Sequence, residues 1–376
     1  MPWETLRSSP TFTLRRHGRF LVADLAGPHR VLSTSVKNGG WAESLGHLIN
    51  HQSCEGAGHA ARFEAITGRG QDAYHDDVCA EVGVPADGSA VMGTAANMSY
   101  AAIQTVSDLD VAVTAVVTAG VQTNATCAGD PAQWREQPDG IVKVPPVAGT
   151  INTMLLVNVP VTPAALSRAV VTMTEGKSAA LQRLAIPSCY SADLATGTGT
   201  DQFCLAAPAD GRAALTSASP HMKFGELIGA AVRDATIEAL RWQNGLEASY
   251  TRGLFHALGR YGLKEATILD DLAPWLDAAD LELLRRNSKS AFFEPSVGAA
   301  AYACAAVLDR ARHGTLPAVL VDDALVAQAA TLAVGLAARP LAWSECRATL
   351  LAGSREPRTL LLRAIALGWS QKWRSR

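Results

Sequence analysis

GTINTMLLVNV, residues 149–159, is followed by a stretch that contains TEGKSAAL at 174–181 and then by the loop ATGTGTD at 195–201. The first segment is largely apolar and predicts an apolar strand. Thr162 before Pro163 supplies an N-cap and a first-turn proline, which predicts that a helix begins there. A strand, a capped helix and a glycine-threonine loop that ends in a carboxylate are typical of one side of an active site.

The predicted helix carries a lysine on its apolar face. The apolar residues that recur at helical spacing are Leu166, Ala169, Val170, Met173, Ala180, Leu181 and Leu184. At about 100° per residue, Lys177 falls in the middle of this stripe, whereas Glu175 projects from the opposite side. An ammonium group on a core face is costly unless it meets a carboxylate or a substrate, although its stem can also pack while the charge reaches solvent. Lys177 is therefore the stronger catalytic candidate, and Glu175 the weaker one.

The glycine-threonine loop supplies hydrogen-bond donors next to a carboxylate. Gly197 and Gly199 alternate with threonines, which leaves backbone N–H groups exposed and brings the Thr198 and Thr200 hydroxyls close to them. Such donors suit an oxyanion or a phosphate, and Asp201 closes the loop. A structural turn with solvated hydroxyls is the alternative interpretation.

The N-terminal segment 19–36 predicts a β-hairpin with its turn at Gly27-Pro28. A helix is predicted after it, because apolar residues recur at helical spacing. These residues are Trp41, Leu45, Leu48 and Ile49. Asn38, Gly39 and Gly40 would then present backbone donors at a helix N-terminus to a carbonyl or an anion, unless they form a plain connecting turn.

Two histidines on this predicted helix, His47 and His51, have the i,i+4 spacing of metal ligands. No third ligand is marked and no HExxH pattern occurs, so surface or hydrogen-bonded histidines are the favoured interpretation. His51, near the predicted helix end, is a candidate for a catalytic histidine that acts alone. No metal and no other cofactor is expected.

Further strands are predicted at 89–98, 110–120, 188–193 and 203–208, with a short helix around Tyr74 to Glu81. The strand at 110–120 leads into a loop with Asn124 and Asp130, and binding groups often lie on such strand-end loops. Asp130-Pro131 is also an ordinary turn signal. A helix is predicted over 219–240, where His221 either faces the same cavity as Asp201 or merely caps the helix.

Composition excludes several classes of protein. The 376 residues carry a net charge of −2 with 18% charged residues and no long basic run, so no nucleic-acid partner is expected. Seven cysteines without a CxxC pattern indicate reduced thiols in a cytoplasmic protein. No signal peptide is evident, and the apolar run 324–338 is too short to span a membrane, so no membrane partner is expected.

The amino-acid composition of the chain changes near Gly245. The residues beyond it are rich in alanine and leucine at helical spacing, which predicts an all-α C-terminal domain or lid at 245–376. Residues 1–244 are predicted to form an α/β (α+β) domain with a mixed β-sheet flanked by helices. The helical part has few residues of catalytic type, so it is expected to pack on the core, to form part of the substrate pocket or to mediate homo-oligomerisation.

An ordered set of motifs carries a family resemblance. The motifs are NGG, HLINHQ, TAGVQTNATCAGD, GTIN, TEGKSAAL, ATGTGTD and HMKFGELIGAAV. Over roughly Val31 to Leu240 this set resembles the adenosylcobinamide amidohydrolase family. The resemblance implies hydrolysis of the amide between a corrin-ring side chain and aminopropanol, which yields adenosylcobyric acid for cobamide salvage. Gly176 stands where family members commonly have alanine, Trp41 follows NGG, and the chain continues well past the last motif.

Amide hydrolysis requires a nucleophile, a proton for the leaving amine and donors for the oxyanion. The sequence predicts the oxyanion site near the backbone of residues 197–200 and the NGG segment. Lys177 is predicted as acid or electrostatic stabiliser and Asp201 as base or orienter. Water, Thr198 or Thr200 is the nucleophile. Asn152 of GTIN joins the predicted substrate-binding residues.

Three functions remain open at this point. The substrate is a corrinoid, or it is another bulky metal chelate such as a ferric siderophore, or the chain is a corrinoid-binding protein without catalysis. The joint presence of Lys177, Asn124 and Asp201 argues against the last, because a mere binder has no need of a lysine on a core face.

Overall fold

The computed structural model describes residues 2–55, 58–132, 135–137, 140–142, 149–338 and 343–373. The chain divides between Gly245 and Leu246 into two compact units. The first unit contains β-sheets flanked by helices, and the described part of the second is helical, which confirms the predicted fold class.

The described strands all belong to the first unit. They are β1 (Glu4–Ser8), β2 (Phe12–His17), β3 (Phe20–Leu25), β4 (His29–Ser33), β5 (Gly40–Ala42), β6 (His47–Gln52), β7 (Ser89–Thr94), β8 (Ala102–Asp108), β9 (Val111–Ala119), β10 (Ala125–Thr126), β11 (Arg135–Gln137), β12 (Gly140–Val142), β13 (Ile151–Val157), β14 (Gly197–Thr198) and β15 (Gln202–Pro208).

Two mixed sheets form where one was predicted. The first has the order β1-β2-β3-β6-β7 and the second the order β5-β4-β15-β13-β9-β8. In each sheet one pair is parallel, β6 with β7 and β13 with β15, and the other pairs are antiparallel. Strand β13 lies inside the second sheet and all seven of its residues are buried, including the polar residues Asn152 and Thr153.

The helices of the first unit are α1 (His59–Arg69), α2 (Gln71–Val82), α3 (Pro163–Arg183) and α4 (Lys223–Asn244). Leu48 and Met92 of the first sheet pack against Met154 and Leu156 of the second, so the two sheets share one core. A separate apolar cluster joins α2 to the outer face of the first sheet. Helix α4 packs on β8, β9 and α3. The layers are therefore helix, sheet, sheet and helix.

Helix α3 begins where the sequence predicted. The Thr162 side chain accepts a hydrogen bond from the Ala165 N–H at 3.3 Å, and Pro163 is the first helical residue. The predicted strands at β7, β9, β13 and β15 and the helices α2 and α4 are also confirmed.

Two predictions for the N-terminal segment are wrong. Strands β3 and β4 do not form a hairpin, because they belong to different sheets. No helix follows the NGG segment, since Gly40 begins β5, and Leu48 and Ile49 lie in β6. The apolar spacing misled because β6 is covered on both faces, so the adjacent residues Leu48 and Ile49 are both buried and break the alternation that marks a strand.

A third prediction fails at residues 188–193, which form a bent loop rather than a strand. The residues on either side, Pro187 and Leu194, form one isolated β-bridge. Two serines and an aspartate in six residues favour side-chain hydrogen bonds to nearby backbone over a strand ladder. Ser188 shows this, since its hydroxyl accepts from the N–H groups of Tyr190 and Ser191.

The second unit consists of short and long helices. They are α5 (Ala248–Thr251), α6 (Leu254–Leu258), α7 (Ile268–Leu272), α8 (Ala278–Phe292), α9 (Pro295–Arg312), α10 (Ala318–Ala337), α11 (Trp343–Leu351) and α12 (Pro357–Lys372). Their core includes Phe292 and Trp369, which are almost fully buried.

Helix α10 is longer than the apolar run that the sequence marked. Among the described helices it is long and apolar enough to cross a bilayer, and the bent pair α8 and α9 passes the same test together. Core helices also pass this test of length and composition, so the expected absence of a membrane span stays a prediction. One face of α10, including Leu325, Ala329 and Leu336, packs in the core of the second unit.

Gly176 sets the distance between α3 and α4. A Cβ atom at Gly176 would lie 2.9 Å from the carbonyl oxygen of Gly229, whereas a Cβ at Gly229 would meet no atom within 4 Å. The two helices therefore approach closely on the Gly176 side only.

We expect Gly176→Ala to be less stable than Gly229→Ala by about 1–3 kcal/mol, because only the first adds a methyl group against backbone. Both variants gain the same helix propensity, so each controls for the other. Urea unfolding of the two variants measures the difference. Equal stabilities would show that α3 and α4 can separate without cost.

Candidate active site

Lys177 and Asp201 form an ion pair in the first unit. The Lys177 Nζ donates to the Oδ2 atom of Asp201, and the two side chains are 15% and 19% exposed. Lys177 lies on α3, while Asp201 lies immediately before β15. The lysine on the apolar stripe therefore meets a carboxylate.

The Asp201 carboxylate has its acceptor positions filled. Its Oδ1 atom accepts from the Ile151 N–H at 3.1 Å and from the Thr198 hydroxyl at 2.5 Å. Its Oδ2 atom accepts from the Thr198 N–H at 3.1 Å and from Lys177. A carboxylate offers about four lone-pair sites, so in this state Asp201 orients the lysine and has no site left for a further donor.

Gly197 lies against this pair. A Cβ atom at this position would be 2.5 Å from Asp201 Oδ2 and 2.9 Å from Lys177 Nζ. A larger residue would thus displace one partner of the ion pair. The glycine of the ATGTGTD loop therefore allows the close approach on which the pair depends.

Lys177 and Asp201 line a cavity of about 210 Å³. Its apolar lining is Ile151, Met173 and Phe203, and its other polar lining is Thr34, Thr153, Thr174 and Gln202. The ion pair is the only pair of opposite charges among these lining residues. A small polar group that enters the cavity would therefore meet an ammonium group beside apolar walls.

Thr198 and Thr200 have different surroundings. Thr198 is buried and its hydroxyl donates to Asp201. Thr200 is exposed, its hydroxyl donates to the Gly149 carbonyl at 2.9 Å, and it also contacts the Thr150 hydroxyl. Neither threonine lines the cavity. The hydroxyl of Thr200 donates to a backbone carbonyl, and a carbonyl cannot serve as the base that would activate it.

Asn124 and Gly199 connect the strand-end loops around the pair. The Asn124 Nδ2 donates to the Gly149 carbonyl at 2.8 Å, and its Oδ1 accepts from the Tyr190 hydroxyl at 2.9 Å. The Gly199 N–H donates to the Asn124 carbonyl at 3.3 Å. Next to this contact β10 and β14 form a short ladder. These bonds hold the ATGTGTD loop in place.

Asp130 fastens two loops to each other. Its Oδ2 atom accepts from the Ser188 hydroxyl at 2.6 Å, the Cys127 N–H at 2.7 Å and the Thr126 hydroxyl at 3.2 Å. Burial acts to raise the pKa of the Asp130 carboxyl, but hydrogen bonds, chiefly from Ser188, hold that pKa below its usual range. The carboxylate is therefore ionised and engaged within the protein.

Other predicted site residues lie away from the cavity. Asn152 is fully buried between the sheets, where its Nδ2 donates to Asn50 Oδ1 at 2.8 Å. Glu175 and His221 are exposed and do not line the cavity. His221 also precedes α4 without capping it, because Met222 is the N-cap residue and makes no side-chain cap bond.

The NGG segment is held by its own contacts. Asn38 has a left-handed backbone, with φ of 60°, and its Nδ2 donates to the carbonyls of Ala86 and Ser89 at 2.8 and 2.9 Å. Since no helix begins at Gly39 or Gly40, the predicted donors of a helix N-terminus are not formed there. None of the three residues lines the cavity.

The two histidines of HLINHQ form hydrogen bonds with two different residues. His47 Nδ1 lies 2.8 Å from Asp24 Oδ1, and His51 Nε2 lies 2.9 Å from the Tyr74 hydroxyl. Within the described ranges no three His, Cys, Asp or Glu residues are grouped so that they could hold a metal ion. His51 is fully buried and stacks on Phe20, outside the cavity.

Comparison with known proteins identifies the family. A sequence model described as adenosylcobinamide amidohydrolase matches residues 5–248, which is well over half of the chain. The chain belongs to the adenosylcobinamide amidohydrolase family. The match spans both Lys177 and Asp201 and ends just beyond the boundary between the two units. The family relationship that the motifs indicated is therefore confirmed.

An archaeal relative shares part of this region. An uncharacterized protein of Methanocaldococcus jannaschii is 33% identical over 183 residues, which cover 46% of this chain and 71% of that protein. The family thus supports an amidohydrolase, while this relative adds no substrate of its own.

Several residues that line the cavity were not predicted from the sequence, among them Thr34, Thr153 and Phe203. Thr153 could have been found, because it lies two residues after Ile151 on one strand and so faces the same side of the sheet. Tyr190 had no such signal, since its contact with Asn124 depends on an irregular loop.

Burial of His51 predicts an acid-sensitive fold. Burial, with the positive charges of Arg19 and Arg62, lowers the pKa of His51 to about 3 from its ordinary value of 6.5. Between these two pH values the unfolded chain binds a proton at this residue that the folded chain does not. This residue therefore costs stability as the pH falls from 6.5 towards 3.

We expect His51→Gln to flatten the fall in stability over this pH range relative to the unmodified protein. Urea midpoints measured at several pH values for both proteins test this. Parallel curves would show that His51 is protonated in the folded state.

Proposed function

We propose that this protein hydrolyses the amide between the corrinoid side chain and aminopropanol in adenosylcobinamide. The observation that carries the proposal is the Lys177–Asp201 ion pair in the wall of a small cavity. Family membership supports an amidohydrolase, and the pair supplies the charge that such a reaction needs at the reacting bond.

The size of the cavity supports a particular placement of this substrate. A cavity of about 210 Å³ is smaller than the typical pocket for a drug-sized ligand and far too small for a corrin ring. The macrocycle therefore stays outside, and the amide on its flexible side chain reaches Lys177.

Lys177 acts on the developing oxyanion. Its ammonium group has three N–H donors, and before substrate binds one of them is bonded to Asp201. A second N–H donates to the amide oxygen as water adds to the carbonyl carbon and negative charge forms there. The carbon–nitrogen bond then breaks, the amine takes the proton that Asp201 removed from water and leaves, and the carboxylic acid of the corrinoid remains.

Asp201 takes the proton from water once a site on it becomes free. All its acceptor positions are filled in the present state, so it is a poor base before substrate binds. When the substrate oxygen draws Lys177 towards it, the Oδ2 position that the lysine occupied opens for the attacking water. Water is the nucleophile in this account, because Thr198 and Thr200 do not line the cavity.

Purified protein incubated with adenosylcobinamide should release aminopropanol and form adenosylcobyric acid, which mass spectrometry detects. Parallel samples contain EDTA and ferric hydroxamate siderophores. Release of aminopropanol that EDTA leaves unchanged supports hydrolysis by Lys177 and Asp201. Cleavage of a siderophore alone would contradict the corrinoid substrate, and loss of activity in EDTA would contradict the proposed roles.

Replacement of Lys177 by Met should lower kcat by about 100-fold or more, since a preorganised donor to the oxyanion is lost. The variant should still fold, because three donors to Asp201 remain and the Met side chain continues the apolar stripe. Lys223→Met is the matched control, because Lys223 forms an exposed ion pair with Glu226. Full activity of the Lys177 variant would remove the lysine from the reaction.

A further inference from the structure

Three threonine hydroxyls border the cavity, and two of them are satisfied by backbone. The Thr34 hydroxyl accepts from the Phe203 N–H at 2.9 Å and donates to the Phe203 carbonyl at 3.3 Å. The Thr174 hydroxyl donates to the Val170 carbonyl one turn earlier in α3, at 2.9 Å. Both groups therefore have structural roles that do not depend on a ligand.

The third hydroxyl, that of Thr153, has no hydrogen-bond partner among the residues that the structure describes. Thr153 is only 4% exposed, and it lines the cavity from β13 beside Ile151. The hydroxyl itself is not one of the buried side-chain atoms without a partner, so it is accessible from the cavity. A ligand that displaces water there must offer the hydroxyl a hydrogen bond, because otherwise its hydration is lost without compensation. A ligand in the cavity is the partner that this position allows.

The surroundings of Thr153 define the chemistry of that ligand. Ile151, Met173 and Phe203 give the cavity apolar walls, and Lys177 with Asp201 marks the place of the reacting amide. A short aliphatic chain with one hydroxyl group, attached through its nitrogen to the amide, matches this lining. The other half of the substrate, which carries the macrocycle, does not fit the volume.

We propose that the cavity binds the amine half of the scissile amide and that Thr153 forms a hydrogen bond with its hydroxyl group. This inference rests on the proposed function, because it takes Lys177 as the position of the amide. Thr153 is then a specificity-determining residue, which selects an amino alcohol over a plain alkylamine as the leaving group.

The test compares two substrates in several variants. The corrinoid amide of aminopropanol and the matching amide of propylamine differ only in the hydroxyl group. The unmodified enzyme should prefer the first by about ten-fold in kcat/KM, the usual value of one hydrogen bond. Thr153→Val should abolish this preference, and Thr153→Ser should restore it. Thr174→Val, which removes a cavity hydroxyl that is already satisfied, should keep it.

Thermal unfolding separates this role from a structural one. Because the Thr153 hydroxyl has no partner to lose, Thr153→Val should be at least as stable as the unmodified protein. A large loss of stability would show that the hydroxyl is structural and would overturn the inference. An unchanged substrate preference in a stable Thr153→Val variant would overturn it as well.

Direct binding distinguishes this inference from the proposed function. If no variant releases aminopropanol, the proposed reaction fails, and titration calorimetry with aminopropanol and with propylamine still tests the cavity. Tighter binding of aminopropanol that Thr153→Val removes supports the inference. Equal binding of the two amines to the unmodified protein contradicts it.

Discussion

The contact between Lys177 and Asp201 is the interaction on which the site depends. Two opposite charges that are both largely shielded from water are favourable only if their remaining hydrogen-bonding positions are also filled. The backbone of Ile151 and both the backbone and hydroxyl of Thr198 fill those of Asp201. Strand β13, helix α3 and the ATGTGTD loop must therefore meet at one point, and the rest of the first unit serves to bring them there.

Each of these segments is fixed by a different kind of packing. Strand β13 is held between β9 and β15 in the core of the second sheet, and α3 is held by its close approach to α4 at Gly176. The loop has no core of its own, so polar contacts through Asn124 hold it in place. Because the loop is held by polar contacts, many polar residues near the site form hydrogen bonds with the protein and do not face the cavity.

The structural elements that have a regular local sequence pattern could be predicted from the sequence. The N-cap at Thr162, the apolar run of β13 and the position of Lys177 on the helix wheel are local features, and the structure confirms the elements that they predicted. The segment 38–52 could not be read in this way, because a strand buried on both faces lacks the alternation that marks a strand. Asn38, Asp130 and Asn152 are polar residues of the kind found in sites, yet each has a hydrogen-bond partner far away in sequence. Only the folded chain shows that these partners are structural.

The measurement that tests the central claim most directly is a crystal structure of the Lys177→Met variant with uncleaved adenosylcobinamide. The account predicts that the scissile amide lies in the cavity beside Asp201, with its oxygen directed towards the position of the missing ammonium group. The corrin ring should lie outside the cavity. An amide bound away from residues 177 and 201 would contradict the assignment of this ion pair as the hydrolytic centre.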